Sequence, residues 1–275
     1  MSTTDTMSSG LPPVFLINMV RDTERRRQMT ERMNAIGLPF TVFEAIDGSK
    51  LDLANCRYYD GQKRRRYFGR DMTKGEVGVL MSHRAIMQRM VDENIPAAVI
   101  LEDDVTFEPD FPDVLRALMT AKTRWDIVRF LGSPKIYRLG RRLIAPICGR
   151  YWLARIPGTH GGAHAYLLTN PAAKVLLART EPAWVPIDTL QGRCWSTGLD
   201  SLVVHPCPLA TDPAAGSTIE DKRFDKTLQI DGLDRTLYPL RRFLLKLGET
   251  IGKRAVYWGA WWRDGRGGTT KGPES

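Results

Sequence analysis

Three consecutive carboxylates, Glu102-Asp103-Asp104, follow the apolar run Ala97-Ala98-Val99-Ile100-Leu101. No other stretch of the chain is better equipped to do chemistry. The run has the length and make-up of a buried strand. Side chains alternate along a strand, so Glu102 and Asp104 are expected to point one way and Asp103 the other. Like charges at a sheet end repel, and a hard divalent cation such as Mn²⁺ or Mg²⁺ neutralises them through oxygen ligands. In open α/β sheets ligands bind beyond the carboxyl ends of strands, which is where this cluster falls. An acidic surface turn or a helix cap is the alternative; the strand in front of the acids favours the metal.

The acids need elements to hold them. Val14 to Ile17 reads as a first buried strand ending at Asn18, and Asp22 or Thr23 can cap a helix with Met29, Met33 and Ile36 on one face. Phe40 to Ile46 alternates as a second strand and closes on the turn pair Asp47-Gly48. Strand, helix, strand in this order begins an α/β unit. Arg57 to Arg70 reads as a basic and aromatic loop. Thr73-Lys74-Gly75-Glu76 fits a capping box, opening a helix that turns Val77, Leu80, Met81, Met87 and Val91 toward a core. Trp125 to Leu131, Ala163 to Thr169 and Leu202 to His205 are further strand candidates, and Asn170-Pro171 starts a helix. There is no internal repeat. The expected division is a tail over 1–12, one α/β domain over 13–230 and a basic, aromatic extension over 231–275.

At 275 residues, 43% hydrophobic and 26% charged, the chain can build a sizeable core and is unlike a disordered one. Its net charge of +9 favours anionic partners. No DNA- or RNA-binding motif is present, so nucleic acid is not an expected partner. Cys56, Cys148, Cys194 and Cys207 have no zinc-type spacing and read as reduced thiols in a reducing compartment. The first ten residues lack the pattern of a signal peptide, and no run reaches the roughly 18 apolar residues of a membrane span. A cytoplasmic protein is expected, with peripheral attachment to the inner face of the cell membrane as an option. Leu237 to Trp262 supports that option by mixing Arg241, Arg242, Lys246, Lys253 and Arg254 with Phe243, Leu244, Leu247, Ile251, Tyr257, Trp258, Trp261 and Trp262. It suits a helix lying on an anionic membrane; a helix packed on the domain with its basic side in water is the other reading.

Six stretches, in order, carry a resemblance: FLINMVRDTERRR from Phe15, FEAIDG from Phe43, TKGEVGVLMSHRA from Thr73, AVILEDDV from Ala98, GAHAYLLT from Gly162 and VPID from Val185. With these the chain resembles glycosyltransferase family 25, which includes lipopolysaccharide and collagen galactosyltransferases. The resemblance implies a GT-A-like nucleotide-sugar-binding fold with a mixed, mainly parallel central sheet. It also implies a UDP-sugar donor, often UDP-galactose, a saccharide or lipid-linked oligosaccharide acceptor, and a D-x-D-like metal motif. Glu102-Asp103-Asp104 would be that motif, with Asp104 the metal ligand and Glu102 assisting through the ribose or a metal-bound water. Glu102 replaces the first Asp of a strict D-x-D.

A departing diphosphate needs positive charge, which Arg21 and Arg25 could supply beside the metal, and Asn18 could hydrogen-bond uracil or ribose. The resemblance adds Asp47 and Gly48 as a wall of the donor pocket and Ser82 and His83 as donor contacts. It further suggests inversion, which calls for a carboxylate base. Asp188 is the first candidate, Asp200 the second and Asp103 the third. His205 could complete a metal site or be a buried structural histidine. The Arg57 to Arg70 segment could receive phosphorylated acceptor sugars or be a solvated loop. Glu102-x-Asp104-x-Thr106 superficially matches aspartyl-phosphate hydrolases, but Glu sets the nucleophile one methylene too far out. A catalytically inactive, membrane-associated binding protein is the remaining alternative.

Overall fold

The computed structural model describes residues 10–131, 140–158, 161–212 and 227–264. Most of the tail expected over 1–12 and the last eleven residues of the extension lie outside them. The first unit is strand β1 (Val14–Asn18), helix α1 (Thr23–Ala35) and strand β2 (Thr41–Glu44). Then come α2 (Gly61–Phe68), α3 (Lys74–Asp92), β3 (Ala97–Leu101), β4 (Val105–Phe107), α4 (Phe111–Met119) and β5 (Ile127–Arg129). A hairpin, β6 (Arg142–Cys148) and β7 (Tyr151–Arg155), precedes β8 (Ala165–Thr169), α5 (Asn170–Ala178), α6 (Ile187–Gly192) and α7 (Cys194–Thr197). β9 (Ser201–His205), β10 (Leu209–Thr211) and the long α8 (Gly232–Arg263) complete the order.

Eight strands form one sheet in the order β2-β1-β3-β8-β5-β9-β7-β6. β2, β1 and β3 pair in parallel, and so do β5 and β9, while β8 and β7 are antiparallel to their neighbours. Six strands therefore run one way and β8 and β7 the other, the mixed and mainly parallel sheet expected. β1 and β3 are buried along their whole length because helices cover both faces. Alternation splits their side chains between two cores. Phe15, Ile17, Ala98 and Ile100 pack with Val77, Leu80 and Met87 of α3 and with Leu176 of α5. Val14, Leu16, Val99 and Leu101 pack with Met29 and Met33 of α1 and with Val114 and Leu115 of α4.

The Thr73–Glu76 capping box forms in full: the Thr73 hydroxyl accepts from the Glu76 N–H, and the Glu76 carboxylate accepts from the Thr73 N–H. It fixes where α3 starts, and the turn after β2 lies directly on that start. An added Cβ on Gly48 would sit 2.0 Å from the Lys74 carbonyl oxygen, and one on Gly78 would sit 2.8 Å from the Gly48 backbone. Both collisions are with backbone, which cannot swing aside. Gly48→Ala is expected to destabilise the fold by about 1–3 kcal/mol, seen as a lower Tm; an unchanged Tm would show that the turn can lift off α3.

One expectation fails. The basic segment Arg57 to Arg70 is not a loop, because Gly61–Phe68 is helical. The Asp60 carboxylate accepts from the Lys63 N–H at its start, and Gly69 closes it in the left-handed conformation. Its cations are placed over rings, Arg64 over Phe68 and Lys63 over Trp184. That packing lets a segment with little apolar periodicity hold a helix against α8.

Candidate active site

β1 and β3 are parallel neighbours, so Asn18 and Glu102 emerge at the same edge of the sheet. β8 is antiparallel to β3 with Leu101 opposite Ala165, and the Glu102 N–H donates to the His164 carbonyl at 2.8 Å. This register sets His164 beside the acids. Its Nδ1 lies 3.1 Å from Asp104 Oδ1 and 3.4 Å from Glu102 Oε2. Asp103 points the other way, accepting from Asn18 Nδ2 at 2.7 Å and from Arg25 at 3.0 Å. The three carboxylates thus divide as expected, but from a bend just past the end of β3 rather than within a strand.

The two sides differ electrostatically. Burial opposes a charge on His164, but hydrogen bonds to Asp104 and Glu102 outweigh it and raise the imidazole pKa to about 10. Burial likewise pushes Glu102 up, while hydrogen bonds from His164 and His83 more than offset it and hold the carboxyl well below its usual range. For Asp103 burial prevails over Asn18 and Arg25, and its pKa is raised. At neutral pH a protonated His164 therefore sets one positive charge between Glu102 and Asp104.

Each remaining candidate has a defined place. His83 is fully buried beneath Glu102, with Nε2 at 3.2 Å from Oε1 and Nδ1 at 2.8 Å from the Tyr166 hydroxyl. Ser82 is buried too; its hydroxyl accepts from the Ile46 N–H and donates to the Gly78 carbonyl, tying the turn after β2 to α3. Arg21 pairs with Asp47 at 2.8 Å near the surface. Asp188, in the first turn of α6, accepts from the Gly162 N–H at 3.0 Å and the Thr189 N–H at 2.6 Å. Asp200 is held by Arg155 at 2.6 Å. His205 ends β9 on the far side of the sheet, opposite Trp152.

A cavity of about 240 Å³ joins some of these groups and leaves others out. Its walls include Glu76, Glu102, His164, Asp188 and the backbone of Gly161 and Gly162. Gly162 has φ +100°, which favours glycine, and a Cβ on Gly161 would crowd the Asp188 carboxylate at 3.0 Å. Asn18, Arg21, Arg25, Asp47, Gly48 and Ser82 do not line it. Beneath, the buried Arg129 donates to the Gly162 carbonyl at 2.7 Å, and Asp188 partly offsets the burial that lowers its pKa.

Glu102, Asp104 and His164 offer ligand atoms all within 4.8 Å of one another. Two carboxylate oxygens and an imidazole nitrogen suit Mn²⁺, and Mg²⁺ through the oxygens. His164 is the member that reading the sequence missed. It lies inside the GAHAYLLT stretch, but only the pairing of β8 with β3 brings it to the acids.

A family model described as glycosyltransferase family 25 (LPS biosynthesis protein) matches residues 11–191. Among curated proteins, the probable inactive glycosyltransferase 25 family member 3 of Rattus norvegicus is 26% identical, over 76% of this chain and 40% of its own length. Procollagen galactosyltransferase 2 of Homo sapiens is also 26% identical, over 61% of this chain and 29% of its own. The chain thus spans well under half the length of these relatives. A solved glycosyltransferase involved in the glycosylation of the major capsid of PBCV-1 aligns with a TM-score of 0.35 at 12% identity, covering 70% of this chain and 80% of that one. With two thirds of its length inside the family match, the chain belongs to glycosyltransferase family 25.

Proposed function

We propose that the chain is a metal-dependent, inverting hexosyltransferase that moves a sugar, galactose favoured, from a UDP-sugar to a lipopolysaccharide- or lipooligosaccharide-type acceptor. One observation carries the reading: Glu102, Asp104 and His164 converge, and two of them, Glu102 and His164, line a cavity that Asp188 also lines. Asp104, Glu102 and His164 would hold Mn²⁺ or Mg²⁺. The ion, when bound, supplies positive charge against the diphosphate as it leaves.

The chain's own residues do the rest. Asp188 takes the proton from the acceptor hydroxyl as that oxygen bonds to the anomeric carbon, while the bond from that carbon to the diphosphate oxygen breaks and UDP departs. The Gly162 and Thr189 N–H groups aim the carboxylate. His83 orients Glu102 from below, a positioning role. Asn18, Arg21, Arg25, Asp47 and Gly48 stay assigned to the donor. Asn18 and Arg25 would act from the Asp103 side of the acids, and Arg21 and Asp47 from the nearby surface. Catalysis is assigned to residues 13–230 and attachment to 231–275, at the inner face of the cell membrane.

A second reading, an inactive family member acting as a membrane-associated binding protein, draws on the relatives whose names call them inactive. A screen of UDP-galactose, UDP-glucose and their N-acetyl counterparts, with and without Mn²⁺, separates the two. The enzyme reading expects Mn²⁺-stimulated hydrolysis of one donor; UDP uptake without turnover of any donor would favour the other.

Metal uptake has its own signature. His164 is protonated below a pKa of about 10 and must lose that proton to bind a cation. Mn²⁺ binding at neutral pH is expected to release about one proton and to tighten roughly tenfold per pH unit. Calorimetry in buffers of different ionisation enthalpy measures both. No proton release would place the ion away from His164.

A further inference from the structure

α8 presents its apolar side to the outside. Its inner side is tied to the body: Glu249 pairs with Arg193 at 2.5 Å, Gly252 lies so close to Trp195 that a Cβ would be 2.5 Å from the ring, and Ala260 is buried. Asp264, just past the helix, is held by Arg142 and Arg155. Opposite these anchors run Leu240, Leu244, Leu247, Ile251 and Trp258, spaced by three, four and seven residues, which is one face of a helix. They are 44–59% exposed. Trp261 and Trp262 continue the exposed apolar surface. A soluble surface helix normally has these two sides reversed.

We propose that this face docks on an anionic lipid bilayer, with α8 lying flat in the interface. Charge chooses the occupant. Lys246 and Arg254 are exposed beside the stripe, and Arg241 flanks it. Both acids of the helix are engaged in ion pairs, Asp234 with Arg241 and Arg66, and Glu249 with Arg193. A second copy of the chain would bring the same cations against these and no free carboxylate to meet them. Anionic headgroups supply the missing charge, the apolar stripe enters the acyl boundary, and the Lys246 and Arg254 stems reach back to the headgroups. Tryptophans at one end suit the same boundary. No helix among the described residues is long and apolar enough to cross a membrane, so attachment through this helix is by its side.

The test is sedimentation of the full chain with vesicles of phosphatidylcholine alone or mixed with phosphatidylglycerol, with its mass in solution measured alongside. Binding to the anionic vesicles should exceed binding to neutral ones by about tenfold or more, with tryptophan emission shifted to the blue. The double variant Leu244→Glu, Ile251→Glu should lose at least about tenfold of that binding, at an unchanged Tm because neither side chain faces the body. Equal or absent binding to the two vesicles would overturn the proposal, as would full binding by the variant or a dimer that the variant splits. Vesicle binding needs neither donor nor acceptor, so its failure would leave the transferase reading standing.

Discussion

Asp104→Ala should remove metal-stimulated turnover of the sugar donor, with a rate loss near a thousandfold, or about 4 kcal/mol. Asp104 is one of two carboxylates facing His164, and its loss leaves a single acid to hold a divalent ion. The fold should tolerate it. Asp104 is partly exposed, and its main-chain carbonyl keeps the hydrogen bond from Asp212 that extends the β4–β10 ladder. Asp103→Ala is the matched control. That carboxylate faces Asn18 and Arg25, so Mn²⁺ affinity should stay near that of the unaltered protein. Calorimetric titration with Mn²⁺ and a turnover assay read the two variants together. Retained Mn²⁺ stimulation in Asp104→Ala would refute the ligand assignment.

Asp188→Asn tests the base. The amide keeps one oxygen, enough to accept from either the Gly162 or the Thr189 N–H but not both, and it cannot take a proton at neutral pH. Transfer should fall by about 10²–10⁴-fold, while UDP and Mn²⁺ bind as before. This split between chemistry and binding is what separates a base from a donor contact. Asp200 is a poor substitute, because Arg155 already occupies its carboxylate at 2.6 Å. Were Asp188→Asn to transfer at the normal rate and Asp200→Asn to be inactive, the two roles would have to be exchanged.

The sequence was most informative where one physical pattern dominated. β1, β3 and β8 are short apolar runs buried nearly throughout, and α3 begins at the capping box as read, whereas α5, expected to start at Asn170-Pro171, is capped one residue earlier by the Thr169 hydroxyl. Elements whose stability comes from distant partners were illegible. α2 is cation-rich and leans on Trp184 and α8. The β6–β7 hairpin carries Arg142 and Arg155 into the interior, where Asp264, more than a hundred residues on, pairs with both. α4 carries a local signal in Pro112, which sits in its first turn. The same division holds at the site. Alternation anticipated which acids face together, whereas His164, Arg129 and the Asp103–Arg25 pair depend on which strands and helices become neighbours.

β8 enters an otherwise one-directional half of the sheet upside down, and this gives it the part of a ruler. Because it pairs with β3 residue against residue, sliding it by a single position would turn every side chain on it to the opposite face. One extra residue within β8 could leave the protein folded and yet carry His164 off the acids. Deletions and insertions in that strand should therefore silence the chain far more readily than conservative apolar substitutions along it.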